Sequence, residues 1–265
     1  MSKEASVIAP FKNALEQTIK AGVKSIPNEI NADRLKLNAI MAITQSADLQ
    51  SAAQEQPIVI AQYVFNFVIQ GLDMLNREAY IVPYKGKLTP VIDYKGLKKI
   101  AQQYSVKPIK IILSGVVRKN DKYLNKNGMF NHEFDPFMSD ANRGEFIGAY
   151  CTIKYTDGEE QTAFVNKDEV TKVRNQSPSS KSEYSPWNTW EESMWEKTVI
   201  RKAMKYVNLD FGGNEELAKA YRESDRDVEF TRQSSSAIIE QNEPVETEVI
   251  DVEVMETKQV NINDL

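Results

Sequence analysis

The sequence has very few of the side chains that build disulfides, metal centres and nucleophilic catalytic sites. Among its 265 residues there is one cysteine, Cys151, and one histidine, His132. One cysteine forms no disulfide within the chain, and the two residues together cannot complete a structural zinc site, so the composition fits a reducing compartment. We therefore expect no metal centre and no disulfide framework.

Signals for nucleotide binding and for membrane insertion are missing as well. The one Gly-Lys pair, Gly86-Lys87, is followed by Leu88, so the chain has no phosphate loop of the Walker type. No apolar run approaches the length of a membrane span, and the first thirty residues contain four lysines and no continuous apolar stretch. We expect a cytoplasmic protein that requires no cofactor.

Catalytic chemistry has little support among the remaining polar residues. A metal-dependent nuclease needs clustered carboxylates to hold its metal ions. The acids in the middle of this chain follow no ligand spacing of that kind: Asp93, Asp121, Glu133, Asp135 and Glu145. His132 has no evident nucleophile or base as a partner, and a lone histidine of this kind is more often structural than catalytic. The sequence favours a binding protein over an enzyme.

Charge is abundant but unevenly distributed. Residues 227–265 contain ten acids and two bases, whereas residues 1–226 carry a net charge of +3, although the whole chain has a net charge of -5. Within the basic part, residues 85–126 contain eleven lysines or arginines and two acids. A basic body with an acidic tail is typical of a protein that binds a polyanion. On charge alone, a lysine-rich face that is merely solvated is the favoured explanation, since most lysines are exposed to solvent.

Hydrophobic periodicity predicts an α+β fold in which antiparallel hairpins pack with helices. A helical N-terminal section comes first, at residues 31–49 and 57–76. The other predicted elements are a hairpin turning at Lys85-Gly86, a helix from Lys95, a strand from Ile109, a hairpin turning at Asp157-Gly158 and a helix capped by Asn166. Residues 226–265 have few aromatic residues and high charge, which predicts a disordered acidic tail.

The stretch SPWNTWEESMWEKTVIRKAMKYV, residues 185–207, contains all three tryptophans of the chain. Ser185 followed by Pro186 predicts a helix start, and Thr189 with Glu192 is an alternative capping box. On that helix the three cations Lys197, Arg201 and Lys205 fall within a stripe about 80° wide, opposite an apolar arc. Such a stripe can meet successive phosphates of a nucleic acid, and it can equally be a solvated face.

Two features of this helix raise further questions. The tryptophans could stack on bases, but large aromatic side chains more often anchor a helix to its sheet, and we expect that role for all three. Glu196 falls in the apolar arc beside Val199 and Ile200, where a carboxylate needs a partner or a route to solvent.

The motifs GLDMLNREAYIVPY, DYKGLKKIAQQYS, NKDEVTKVRNQS and SPWNTWEESMWEKTVIRKAMKYV occur in this order over about residues 70–207. Together they resemble the RecT family of phage single-strand annealing proteins. The most distinctive part is W-x-x-x-x-K-T-x-I-R-[RK]-x-x-K-Y, with slight variation. The chain departs from the family pattern at Asp93, where glycine is usual, and at Glu196, where a basic residue is common.

The resemblance implies an ATP-independent recombinase that coats single-stranded DNA and anneals it to a complementary strand. It implies a homo-oligomer in ring or filament form, a partner exonuclease, and a C-terminal region that contacts the host single-strand DNA-binding protein. No cofactor is expected, and Mg²⁺ is expected to affect annealing only through the DNA. The expected division is an N-terminal segment, 1–30, that contributes to oligomer contacts, an annealing core, 31–225, and the acidic tail, 226–265.

We predict a DNA-binding groove with two basic walls. The first wall is the edge of the tryptophan-rich helix, with Lys202 beside its stripe, and the second comes from Lys95, Lys98 and Lys99. Further candidates are Lys107, Lys110 and Arg118, and Lys172 and Arg174 are expected to close one end. The main alternative is a phage structural or scaffolding protein whose basic face binds an acidic protein surface.

Overall fold

The structure is a computed structural model that describes residues 8–84, 87–126 and 129–224. The predicted acidic tail, 226–265, lies outside the described residues. The helices are α1 Ala9–Ala21, α2 Ala32–Thr44, α3 Ala47–Glu55, α4 Pro57–Ile69, α5 Tyr94–Tyr104, α6 Asp140–Arg143, α7 Lys167–Gln176, α8 Pro186–Thr189, α9 Glu191–Met204 and α10 Glu215–Ser224. The strands are β1 Ala79–Tyr84, β2 Lys87–Ile92, β3 Ile109–Arg118, β4 Lys122–Lys126, β5 Met129–Glu133, β6 Phe146–Tyr155 and β7 Glu160–Asn166.

The N-terminal section is helical, as the periodicity predicts, but residues 31–49 form two helices and not one, and the helix predicted over 57–76 ends at Ile69. The side chain of Ser46 accepts a hydrogen bond from the Leu49 amide at 3.3 Å, so α3 begins anew after α2 has ended at Thr44. Helix α1, from the segment that we separated as 1–30, buries Phe11 and Leu15 in the same core as the rest of the body.

Every strand pair among the described residues is antiparallel, which confirms the α+β prediction and both predicted hairpins. β1 pairs with β2, and β3, β6 and β7 form a three-stranded sheet in the order β3-β6-β7. The turn between β6 and β7 contains Gly158 at φ 89°, a conformation that glycine adopts without steric cost. Asn166 caps α7 in a full capping box with Glu169.

The hairpin β4–β5 was not predicted from the sequence. Every residue of β4 is exposed, so the strand lacks the alternation of buried and exposed side chains that reveals a half-buried strand. β5 does alternate, because Phe130 and His132 point toward the three-stranded sheet. The signal extends over five residues only, which is too short to identify a strand reliably.

Helices α5 and α9 lie side by side against the three-stranded sheet and form the layer that carries the predicted basic residues. α9 packs across β6, β7 and β3 and buries Val199, Ile200 and Ala203. α5 packs against β3, and its close approach to the chain before β1 depends on Gly96. A Cβ atom at Gly96 would lie 2.2 Å from the backbone oxygen of Glu78, so only glycine fits there.

The three tryptophans have different environments, which corrects the prediction that all of them are anchors. Trp187 and Trp195 are 2% and 3% exposed, and Trp195 packs on Phe146 with the ring centroids 5.6 Å apart. Trp190 is 69% exposed. The chain breaks there, because Ser185 caps only the single turn α8 and Trp190 is the N-cap residue of α9. The alternative capping box of Thr189 with Glu192 does not form.

Candidate nucleic-acid interface

The basic edge of α9 meets the N-terminus of α5 at a junction built by two contacts. The Nζ atom of Lys197 lies 3.3 Å from Oδ2 of Asp93, and Nη1 of Arg201 donates to the backbone oxygen of Ile92 at 2.9 Å. Since Ile92 ends β2 and Asp93 directly precedes α5, both α9 cations are held at the same corner. We call the corner around Asp93, Lys95, Lys98, Lys197 and Arg201 the α5–α9 junction.

Asp93 performs two structural roles at this junction. Its Oδ1 atom accepts a hydrogen bond from the Lys95 amide at 3.3 Å, so Asp93 is the N-cap of α5. Its Oδ2 atom is the counter-ion of Lys197. The residue is 9% exposed. Asp93 therefore neutralises Lys197 while it caps the helix that carries Lys95 and Lys98.

Lys95 and Lys98 supply the α5 side of the junction. Lys95 is exposed and Lys98 is half-buried. Its helix packs against α9, and the charge of Lys98 lowers the pKa of Glu196 on α9 and of Cys151 on β6. Burial raises the pKa of Glu196, the charge of Glu192 raises it further, and Lys98 lowers it. The carboxylate in the apolar arc is thus compensated in part by a predicted DNA-binding lysine.

Two further predicted cations, Lys99 and Lys202, are engaged in contacts within the body. The Nζ atom of Lys99 donates to the Gly71 backbone oxygen at 2.6 Å and to Glu78 at 2.7 Å, so Lys99 ties α5 to the loop before β1. Lys202 donates to Glu169 of α7 at 2.5 Å, a hydrogen bond that lowers the pKa of Glu169. Lys205 lies exposed immediately after α9. The ammonium groups of Lys99 and Lys202 are therefore already paired within the body.

The three candidates around β3 do not join the junction: Lys107 precedes the strand, Lys110 lies near its start and Arg118 ends it. Arg118 is 5% exposed, and its guanidinium binds Asp140 at 3.1 Å and Glu192 at 3.0 Å, so in this conformation it is not accessible to a phosphate. Lys107, at the other end, is paired with Glu159 at 2.5 Å. Lys110 is exposed at a bulge of β3.

Lys172 and Arg174 lie on α7, away from the α5 side of the junction. Lys172 is exposed, and Nη2 of Arg174 donates to Oδ1 of Asn188 at 2.5 Å, which ties α7 to α8. Their prediction as the end of a groove stays a prediction. Across the described ranges no group of three or more His, Cys, Asp or Glu residues is arranged to hold a metal ion.

His132 belongs to a buried structural cluster at the base of the β4–β5 hairpin. Its Nε2 atom lies 3.0 Å from Oδ2 of Asp121, which also binds Arg143 at 2.6 Å. Burial raises the pKa of Asp121, but the hydrogen bonds from Arg143, from the Arg118 amide and from His132 outweigh it and bring the pKa down to about 2. The cluster fixes the hairpin to β3 and α6.

The chain combines antiparallel sheets layered with helices and a corner where cations of two helices converge. These are features of an α+β nucleic-acid-binding protein. The RecT family model matches residues 33–242, and the chain belongs to the RecT family. It is accordingly a DNA-binding protein of single-strand annealing recombination. The family is typical of phages, and membership in it implies binding to single-stranded DNA and oligomerisation. No curated protein matches the chain. None of the helices between residues 8 and 224 is both long and apolar enough to cross a membrane.

Proposed function

We propose that the protein binds single-stranded DNA along the α5–α9 junction and anneals it to a complementary strand without ATP. The observation that carries this proposal is the convergence of Lys95 and Lys98 of α5 with Lys197 and Arg201 of α9 at one corner. Cations drawn from two rigid helices hold a fixed spacing, which suits the regular phosphates of a DNA backbone.

The mechanism is charge neutralisation and concentration of strands, with no covalent step. Lysine and arginine side chains bind phosphates and release condensed counterions, which lowers the repulsion between two approaching strands. Contacts limited to the backbone leave the Watson–Crick edges of the bases free, so base pairing itself selects the partner. Binding is therefore expected to be independent of sequence and strongly dependent on salt.

Because Lys197 forms an ion pair with Asp93, DNA binding at the junction is expected to include a step in which a phosphate replaces the Asp93 carboxylate as the partner of Lys197. In the absence of DNA the lysine is held 3.3 Å from the carboxylate. A phosphate that enters the junction competes with Asp93 for the same ammonium group. This competition offsets part of the attraction between Lys197 and the DNA. This chain is therefore expected to bind DNA more weakly than a relative with glycine at the position of Asp93.

The wider setting is proposed from the family and the charge pattern. We expect a cytoplasmic phage or prophage protein that works as a ring or filament, with a partner exonuclease that supplies single strands. Residues 226–265 are expected to dock on the host single-strand DNA-binding protein. We expect no nucleotide or metal cofactor, and an effect of Mg²⁺ only through the DNA.

The test is annealing of two complementary labelled oligonucleotides with the purified full-length chain and no nucleotide. We expect annealing much faster than that of the naked strands, at the same rate with and without ATP, and with non-complementary strands left unpaired. A protein that accelerates nothing, or only with ATP, would refute the proposal. Failure to bind single-stranded DNA at low salt would favour the scaffolding alternative.

A further inference from the structure

Trp190 occupies the elbow between α8 and α9, where it is at once the C-cap residue of α8 and the N-cap residue of α9. Its indole ring is 69% exposed, whereas Trp187 and Trp195 are buried. Single exposed apolar side chains are common on protein surfaces and by themselves mark no site. What distinguishes this ring is its position relative to the basic edge of α9.

Trp190 lies in line with the cations of α9. Its backbone oxygen accepts a hydrogen bond from the Met194 amide at 3.1 Å, so the residue is in phase with the helix although its own backbone is not helical. At about 100° per residue, its Cα atom lies within about 20° of those of Lys197 and Arg201 around the helix axis. The helical rise places it about 10 Å from Lys197 along that axis. An exposed flat ring therefore continues the row of cations.

Hydrogen bonds fix the elbow that carries the ring. The Trp190 amide donates to the backbone oxygen of Pro186 at 2.9 Å. Asn188 accepts from Nη2 of Arg174 at 2.5 Å and donates to the backbone oxygen of Ser182 at 3.0 Å. The turn before Trp190 is thereby tied both to α7 and to the loop that precedes α8. A ring on a fixed support loses little conformational freedom when it binds a ligand.

The first turn of α9 is acidic, in contrast to its basic last turn. Glu191 and Glu192 directly follow Trp190. Oε1 of Glu191 accepts a hydrogen bond from Nε1 of Trp195 at 3.3 Å, and Oε2 of Glu192 binds Arg118 at 3.0 Å. Attraction for a DNA strand at this end of the helix therefore has to come from the ring and not from local charge.

We propose that the indole ring of Trp190 stacks on a base of the single strand that is bound along α9. This inference rests on the proposed function and adds a contact with a base face to its phosphate contacts. Every base has such a face, so the contact is independent of sequence, and a stacked base keeps its Watson–Crick edge open. In a duplex the base faces are covered by neighbouring bases, so the ring favours single strands over duplex DNA.

The test measures binding of a short single strand, and of a duplex of the same length, to the full-length chain by fluorescence anisotropy at several salt concentrations. Trp190→Ala removes the ring, Trp190→Leu retains apolar bulk without a flat face, and Trp190→Phe retains a ring. We expect the alanine and leucine variants to bind the single strand about 5- to 150-fold more weakly, and the phenylalanine variant to recover much of that loss.

Two further readouts distinguish stacking from a structural effect. No charge is removed, so the slope of log affinity against log salt should equal that of the wild type in all three variants. Duplex binding should change by less than about twofold, because stacked bases in a duplex offer no free face. Melting curves verify that each variant is folded.

A strand with abasic sites identifies the contact on the DNA side, because it keeps the phosphates and lacks base faces. We expect the wild type to bind it more weakly than the normal strand, and Trp190→Ala to show a smaller difference between the two strands. The matched protein control is Tyr123→Ala, since Tyr123 is 55% exposed but lies on β4 and outside the row of α9 cations. That control should bind both strands as the wild type does.

Wild-type affinity of a folded Trp190→Ala for single strands would overturn the proposal and assign the exposed ring to a protein partner. Wild-type binding by Trp190→Leu, equal losses on single strand and duplex, or an equal loss in Tyr123→Ala would overturn it too. In those cases a weakened Arg201→Ala still supports the proposed function. A wild type that binds no single strand at low salt would refute that function and this inference with it.

Discussion

The carboxylate of Asp93 caps helix α5 and at the same time lies 3.3 Å from the ammonium group of Lys197 on helix α9. One residue therefore sets the start of one basic helix and neutralises a cation of the other. Substitutions can separate the two roles, because asparagine retains the capping oxygen and removes the charge.

Asp93→Asn is expected to tighten binding to single-stranded DNA. Lys197 then has no counter-ion and is available to a phosphate, so the slope of log affinity against log salt should become steeper by about 0.7–0.9. Fluorescence anisotropy at several salt concentrations measures both quantities. Asp93→Ala is the control, because it frees the lysine but also removes the cap, at about 1 kcal/mol of stability. Unchanged affinity and slope in the asparagine variant would remove Lys197 from the interface.

Arg201→Ala is expected to weaken binding to all sequences alike and to reduce the salt slope by about 0.7–0.9. The matched control is Lys99→Ala, which also removes one positive charge from the junction's helices but breaks contacts to Gly71 and Glu78. We expect that control to lower the melting temperature and to leave the salt slope unchanged. Equal slopes for wild type and a folded Arg201→Ala would exclude this residue as a phosphate contact.

The three tryptophans should differ clearly in how much their truncation to alanine lowers the free energy of unfolding. Trp187→Ala and Trp195→Ala truncate buried rings and should each cost about 3–5 kcal/mol of unfolding free energy. Trp190→Ala should change stability by less than about 0.5 kcal/mol, because its ring is mostly in solvent. Denaturant titration gives all three values. A large loss on truncation of Trp190 would show that its ring is covered in the native state.

Glu196 should make stability depend on pH in the opposite direction to a salt-bridged acid. Burial raises its pKa above the value in the unfolded chain, so its ionised form is disfavoured by folding. The resulting penalty is absent below the unfolded pKa of about 4.5 and grows as pH rises through the folded pKa. Glu196→Gln should therefore be more stable than the wild type at pH 7 and lose that advantage near pH 4. Parallel stability profiles would contradict this account.

Local signals predicted much of the fold, and long-range pairing explains what was missed. The turn at Gly158 and the cap at Asn166 depend on neighbouring residues, so the sequence reveals them directly. The burial of Arg118 and the turning of Lys99 toward Glu78 depend on carboxylates far away in the chain, at Asp140, Glu192 and Glu78. A charge count cannot distinguish such paired cations from those that face solvent.

The tryptophan-rich segment shows the same limit within a single stretch. Periodicity placed Lys197 and Arg201 on one edge of α9, and the structure holds both at the α5–α9 junction, because that edge follows from helix geometry. It could not show that the helix restarts at Trp190. The segment first forms a separate one-turn helix that Ser185 caps, and the long helix begins only after that turn has ended. The exposure of Trp190 is a consequence of that break.

The most direct test of the account is nucleotide-free annealing by two matched double variants. Lys95→Ala/Lys197→Ala removes two cations from the α5–α9 junction, and Lys107→Ala/Lys110→Ala removes two exposed lysines around the start of β3. Both variants lose the same charge, so only position distinguishes them. We predict that the first anneals complementary strands at least about tenfold more slowly than the wild type, as the loss of two phosphate contacts implies, whereas the second stays within about twofold. Equal losses in the two variants, or a loss in the second alone, would contradict a DNA-binding site at the α5–α9 junction.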